Sequence, residues 1–442
     1  MKGWIKLALV GCLTGLVTIA AIVAVAFGPR LLWIWHVSQT RADIQHGDLQ
    51  AAEREANAAL STARSTCKDQ LCGTFSLVAS VYIAQAKYSQ AQPIIDEWLK
   101  TAREQSGPHS IDLVRAYAIS GAFYRRQARY DEAAQQYKLA LDAASKGVDQ
   151  NDPSLCDVNY ALAKLDIYLE KAAPAKALFE QALRAARSQS PVDPMRSSRA
   201  LAGLGDVDEF YGRYGSALAK YKQASQTNTD NPGETAELLD HMVPLYLAQN
   251  KLNEAQTTAL KAQELLKHAD GEAYVNTSDT IVEANLAAVY LATGKDAEAQ
   301  PLVEDVLKQL AARVSAKHAG YANALILYAR LQTHLGRFDK AKAALDQALP
   351  ILEKTCGKKH RFIAELTRRR AELEMASGNS EKSEQDFRDA IEIARTTLPP
   401  QHPQIAGIMQ SHAELLRKLN RHSEAEKLDK EAKQMLDHAE NS

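Results

Sequence analysis

An all-α protein made of stacked helical hairpins is the fold class this sequence predicts, and three observations carry that prediction. Ala makes up 74 of the 442 residues, against 21 Gly and 14 Pro; strands are poor in Ala, and large sheets need many turn residues. A small residue recurs at Ala52, Ala91, Ala133, Ala175, Ala217, Ala255, Ala299, Ala341, Ser383 and Ala425, and six of the nine intervals are 42 residues. Around these markers the large apolar residues fall three, four and seven apart, which is the helical period. One hairpin cannot bury its own apolar face, but about ten stacked in a row can, so residues 38–436 are expected to form one α-solenoid.

Each unit is legible in the same phase. Five residues before the markers stand Gly47, Ala86, Ala128, Glu170, Gly212, Asn250, Gly294, Gly336, Gly378 and Asn420. Gly and Asn tolerate the left-handed backbone that ends a helix, so this is the turn inside each unit. Seven residues after the markers, eight of ten positions are Ala; twelve before, eight of ten are Ala or Gly, among them Ala79, Gly121, Gly205, Ala287 and Ala413. Small residues at such spacing let helices approach closely. Tyr82, Tyr124, Tyr246 and Tyr290 lie nine before their markers, and Ile95, Tyr137, Phe179, Tyr221 and Phe387 lie four after.

The N-terminus reads differently. Leu7 to Phe27 is a run of 21 residues without charge, and a helix of that length rises roughly 30 Å, the thickness of a bilayer core. Lys2 and Lys6 precede it in a short tail (1–6), and Gly28-Pro29-Arg30 is expected to end it. Trp4, Trp33 and Trp35 flank it at headgroup level. A retained signal anchor is preferred over a signal cleaved after Ala24-Val25-Ala26 and over a lipoprotein box at Leu9 to Cys12, because LLWIW follows the first cut and apolar sequence continues past Cys12. Charges flanking the span nearly balance; the terminal amine favours N-terminus inside, with the repeats exported. Gly11 and Gly15 form a G-xxx-G pair suited to a transmembrane homodimer, with simple tolerance of Gly in lipid as the alternative. Residues 28–37 are expected to be a helical juxtamembrane segment, and 437–442 a C-terminal tail.

Composition and motifs exclude several functions. Lys+Arg is 53 against Asp+Glu 54, a formal charge of −1, so no electrostatic case for nucleic acid exists. The sequence holds no HExxH, no phosphate-binding Gly loop, no CxxC and no calcium loop, so no catalytic residue, metal or cofactor is assigned. Cys67 and Cys72 could close a small loop in an oxidising compartment, or be two unrelated thiols. His318, His360 and His402 recur at 42-residue steps with His109 in the same phase. Neighbouring units stack at about the 8–10 Å of packed helices, too far apart to share one metal ion, so turn or capping hydrogen bonds are expected of them.

Segments such as Ala116 to Leu141 (AYAISGAFYRRQARYDEAAQQYKLAL) and Leu201 to Ala224 (LAGLGDVDEFYGRYGSALAKYKQA) resemble tetratricopeptide repeats. The 42-residue spacing, with Leu398 to Ala406 between units, is similar to the longer repeats of kinesin light chains. The chain lacks their heptad coiled coil, so no motor function is inferred. The resemblance implies a right-handed superhelix whose first helices line a groove for a protein or peptide. Its exposed positions, about 7, 8, 11, 15 and 18 before each marker, give Arg115, Arg125 and Arg126 in the third unit and Arg330, His334 and Arg368 in the eighth and ninth. Arg suits carboxylates, so acidic peptide segments are the expected ligands; Asp206, Glu209, Glu237 and Glu372 at similar positions allow a merely mixed, solvated face. The sequence therefore predicts a membrane-anchored, non-catalytic scaffold, or alternatively a peptide-responsive regulator acting on the membrane helix.

Overall fold

A computed structural model describes residues 28–227, 231–267, 275–313 and 318–442. The Leu7–Phe27 run, with Gly11 and Gly15, lies outside the described residues; among those described, no helix is long and apolar enough to cross a membrane. Twenty α-helices and no strand occur among the described residues. Every one of the ten turn positions has a left-handed backbone, with φ between 56° (Ala86, Asn250) and 87° (Gly378). Each reverses the chain, and the amide beyond it closes the preceding helix: Lys171 N–H donates to Asp166 O (2.7 Å), and Arg213 N–H to Asp208 O (2.8 Å).

Packing follows the small residues. The markers are all buried, and Ser383, where the pattern has Ala, satisfies its hydroxyl by donating to Ala371 O at 2.8 Å. Gly121 and Gly205 are required by close approach. A Cβ on Gly121 would stand 2.6 Å from the Tyr137 ring, and one on Gly205 2.6 Å from that of Tyr221.

The chain divides into two compact units at Ile119 and Ser120. The first contains helix α1 (residues 28–45), α2 (Leu49–Ser65), α3 (Leu71–Ala84) and α4 (Tyr88–Thr101) around Phe75, Val78, Ile95 and Trp98. Gly28, Pro29 and Arg30 do not end a helix but belong to α1. That helix is apolar on two sides. Val37 and Thr40 are buried, and Trp33 faces inward, its Nε1–H donating to Thr74 Oγ1 at 2.9 Å rather than meeting headgroups. Leu31, Leu32, Ile34 and Trp35 are exposed. Cys67 and Cys72 are free thiols, so the loop between them is unlinked; Cys67 is buried at the end of α2, and burial pushes the Cys72 thiol up to about 11. Helix α5 (Ile111–Arg126) carries the division between units.

The second unit continues with α6 (Tyr130–Ala144), α7 (Pro153–Tyr168), α8 (Ala172–Ser188), α9 (Pro194–Phe210), α10 (Tyr214–Thr227), α11 (Pro232–Ala248), α12 (Leu252–Lys267), α13 (Val275–Ala292), α14 (Asp296–Arg313), α15 (Ala319–His334), α16 (Phe338–Cys356), α17 (Arg361–Ala376), α18 (Ser380–Thr397), α19 (Pro403–Lys418) and α20 (His422–Asn441). Odd-numbered helices are the first of each repeat, and the N-caps of α7, α9, α11, α15, α17 and α19 share one slot. Asp152, Asp193 and Asn231 fill it with a side-chain oxygen that accepts a backbone N–H, in each case just before a Pro at the first helical position. His318, His360 and His402 fill it with Nδ1, accepting from Gly320, Phe362 and Gln404 N–H at 3.0, 3.2 and 3.1 Å.

Histidine has a second nitrogen, and here it reaches another repeat. His360 Nε2–H donates to Tyr168 O at 3.0 Å, and His402 Nε2–H to Glu209 O at 3.1 Å, bridging 192 and 193 residues. Repeats five apart in sequence are therefore in contact. Glu170, which stands where the pattern has Gly, accepts Arg361 N–H at 2.9 Å across this seam. That contact gives the Glu170 side chain a role at a left-handed position that Ala86 and Ala128 hold without one. Rings join the contact: Tyr168 lies 5.8 Å from Phe362, and Tyr214 lies 6.0 Å from His402. The expected C-terminal tail is instead the end of α20. Ala439 is buried with Tyr214 and Leu218, and Glu440 pairs with Lys251 at 2.5 Å.

Candidate functional site

The first helices present a polar face at positions 11, 14, 15 and 18 before the markers, and it forms two clusters in the second unit. The first lies on α7, α9 and α11. Lys164 Nζ is 2.7 Å from Asp206 Oδ2, Tyr221 OH donates to Asp206 Oδ1 at 2.9 Å, and the His241 ring stacks on Tyr221. Burial alone would raise the Asp206 carboxyl, but Lys164 and His241 hold it below its usual range. Burial pushes Asp240 up to about 6 despite Asn285 and His241. Asp240 Oδ1 is left buried without a hydrogen-bond partner among the described residues.

The second cluster surrounds a cavity of about 420 Å³ between α15, α17 and α19, lined among others by Arg330, His334, Arg368, Arg369, Glu372 and Ser411. Three of the six basic residues singled out from the sequence thus meet at one place. Arg369 donates to Glu365 Oε1 (2.7 Å) and Glu372 Oε2 (2.8 Å). Arg368 Nε donates to Glu372 Oε1 (3.0 Å) and Ser411 Oγ (3.2 Å). Burial would raise Glu372, but the Arg369 and Arg368 guanidiniums bring it down to about 2. His334 Nδ1 is 3.0 Å from Asp296 Oδ1. Arg330, half-buried, has no hydrogen bond or ion pair within 4 Å among the described residues. Burial, with Arg369 beside it, pushes its guanidinium down to about 10.

The other three predicted residues go elsewhere. Arg115 is exposed on the first unit. Arg125 and Arg126 sit beside His318, whose ring is pushed down to about 4 by burial and by their charges. They lie five repeats before that histidine, as Tyr168 and Glu209 do before theirs. Sequence reasoning missed Arg369 and Glu365, although Glu365 and Arg369, like Arg368 and Glu372, stand four apart, the spacing of helical ion pairs. No group of three or more His, Cys, Asp or Glu that could hold a metal ion occurs among the described residues.

No curated protein matches the chain. Among solved structures it is similar to a Rap protein complexed with Competence and Sporulation Factor (12% identity, 93% of this chain and 99% of that one, TM-score 0.43). It is also similar to BtubC (BKLC) from P. vanneervenii (18% identity, 61% and 90%, TM-score 0.32) and to the type IV pilus biogenesis factor PilW (17% identity, 54% and 93%, TM-score 0.39). The tetratricopeptide repeat family model matches residues 279–354 and 362–437. The helices that line the cavity lie within those two segments, and over them the chain is built of tetratricopeptide repeats.

Proposed function

We propose that this protein is a non-catalytic tetratricopeptide-repeat scaffold, of the long kinesin-light-chain-like repeat type, that binds a partner protein or acidic peptide along its first-helix face. The observation that carries this reading is the convergence of Arg330, His334 and Arg368, from two repeats, on one cavity. Binding here would use side-chain pockets and charge. The test is crosslinked affinity capture with wild type and with Thr333→Trp, which fills the cavity from α15. Partners captured by wild type and lost in a normally folded Thr333→Trp variant support the reading; identical partner sets contradict it.

Leu7–Phe27 would hold the scaffold at a membrane, with the repeats exported and Gly11 and Gly15 available for a transmembrane dimer. The uncharged run supports the anchor, as do exposed Leu31, Leu32, Ile34 and Trp35 on the helix that follows it. C-terminal reporter fusions test the orientation, and unchanged self-association in Gly11→Ile/Gly15→Ile would remove the dimer. A second reading, a regulator that couples groove occupancy to the membrane helix, is favoured by the seam at His360 and His402, which supplies contacts a ligand could strain or tighten.

A further inference from the structure

We propose that the outward face of α1 is immersed in the headgroup layer of a lipid bilayer, so that one helix belongs at once to the first repeat and to the membrane surface. Resting on the reading of Leu7–Phe27 as a membrane anchor, this placement adds where along α1 the water begins. The inner face of α1 is committed to its own unit. Trp33 Nε1–H donates to Thr74 Oγ1 on α3 at 2.9 Å, His36 Nδ1 is 2.7 Å from Glu55 Oε2 on α2, and Val37 and Thr40 are buried. Held on that side, the helix cannot roll to cover the other, where Leu31, Leu32, Ile34 and Trp35 are between 46% and 63% exposed.

The order of residues along that outward face points to lipid. Residues three and four apart share a helix face, so Leu31, Ile34 and Trp35 lead on to Ser38, Arg41 and Gln45, which are exposed and polar. The face changes from apolar to polar within one turn, and its apolar end adjoins the uncharged run that finishes at Phe27. A bilayer boundary crossing α1 between Trp35 and Ser38 produces this order, and it sets the Trp35 indole at the depth indoles prefer. Arg30 lies at the apolar end, half-exposed and paired with Asp69 at 3.3 Å. Its charged head suits the headgroup layer and not the hydrocarbon core. A second copy of the chain fits less well, because four side chains on two turns fall well short of the about 800 Å² that each partner of a stable dimer buries.

The experiment reconstitutes the full chain into vesicles of phosphatidylcholine and phosphatidylglycerol, carrying Leu31→dansylalanine, Trp35→dansylalanine or Gln45→dansylalanine. Flotation with the vesicles reports the anchor. Quenching by phosphatidylcholine brominated on its acyl chains near the headgroup reports contact of each label with lipid. An interfacial helix lies about 5–10 Å into the boundary of headgroups and acyl chains, so the labels at 31 and 35 should emit to the blue and lose about half their intensity. The label at 45 should stay unquenched. A chain that floats while 31 and 35 stay unquenched overturns the proposal and leaves the anchor standing. Blue emission at 31 and 35 without quenching means that protein covers the face, and overturns it equally. Quenching at 45 as strong as at 31 also overturns it, since the boundary would then not cross α1. A chain that does not float removes the anchor reading and this proposal together.

Discussion

His360 Nε2 and the carbonyl oxygen of Tyr168 are 3.0 Å apart although 192 residues separate them, while Nδ1 of the same ring caps α17. Asp at this slot caps equally well but has no second arm of that reach or any proton to donate. His360→Asn should therefore keep the cap and lose the seam contact, costing about 1 kcal/mol, with His360→Ala costing roughly 2 kcal/mol. Urea unfolding checks the order; equal stability of wild type and His360→Asn contradicts it.

Stability should rise with pH over the range where these histidines titrate. Burial pushes His318, His360 and His402 down to about 4 in the folded chain, against about 6.5 unfolded. Between those values the unfolded chain binds more protons, so the contribution is complete above the unfolded value and is lost as pH falls toward 4. Asp240, raised to about 6, opposes this with the reverse sign. Removing one histidine as His402→Asn should lower the slope of unfolding free energy between pH 5 and 6 by about 1 kcal/mol per pH unit. An unchanged slope in urea titrations would count against the buried neutral rings.

Two turns with non-glycine residues should respond oppositely to glycine. Ala128 has φ 57° and a methyl side chain, so Ala128→Gly should stabilise by about 1 kcal/mol. Glu170 has φ 60°, but its carboxylate accepts Arg361 N–H, so the relief in Glu170→Gly should be cancelled by about 1 kcal/mol or more of lost hydrogen bonding. Thermal melts of the pair decide the matter; equal gains would mean that the Glu170 contact contributes nothing.

Gly205→Ala should destabilise by about 2 kcal/mol or more, through overpacking. The new methyl would meet the Tyr221 ring at 2.6 Å, and Tyr221 cannot retreat without leaving Asp206 and His241. A neutral Gly205→Ala in chemical denaturation would show that the ring moves freely.

What the sequence disclosed and withheld follows from the range of the interactions. Turn residues such as Gly47 and Asn420, and the markers Ala52 to Ala425, are set by neighbours within one hairpin, so their phase is readable as a local pattern. The contact of His360 with Tyr168 depends on a small rotation at every interface accumulating over five repeats, and no local pattern encodes that sum. The same holds for Ala439, expected in a tail and found in a core. In the cavity, register placed Arg330, His334 and Arg368 on one face. Which guanidinium stays free was settled by the pairing of Arg369 and Arg368 with Glu365 and Glu372, a matter of side-chain geometry. Arg125 and Arg126, also predicted for the groove, lie at the end of α5 beside His318.

The uncompensated charge of Arg330 should be a liability in the empty protein. Arg330→Met is expected to raise stability by about 1 kcal/mol while weakening partner capture, the exchange typical of binding sites. A Met variant that melts lower than wild type would mean that Glu372 and Glu365 already satisfy the guanidinium.

Site-specific photocrosslinking in cells tests the central claim most directly, with a photoreactive residue placed at His334, on the cavity, or at Lys342, on the second helix of the same repeat. A discrete adduct from position 334 that is missing from position 342, and is diminished by Arg330→Gln, is the predicted result. Adducts of equal yield at both positions, or none at 334, would contradict the assignment of this face as the binding surface.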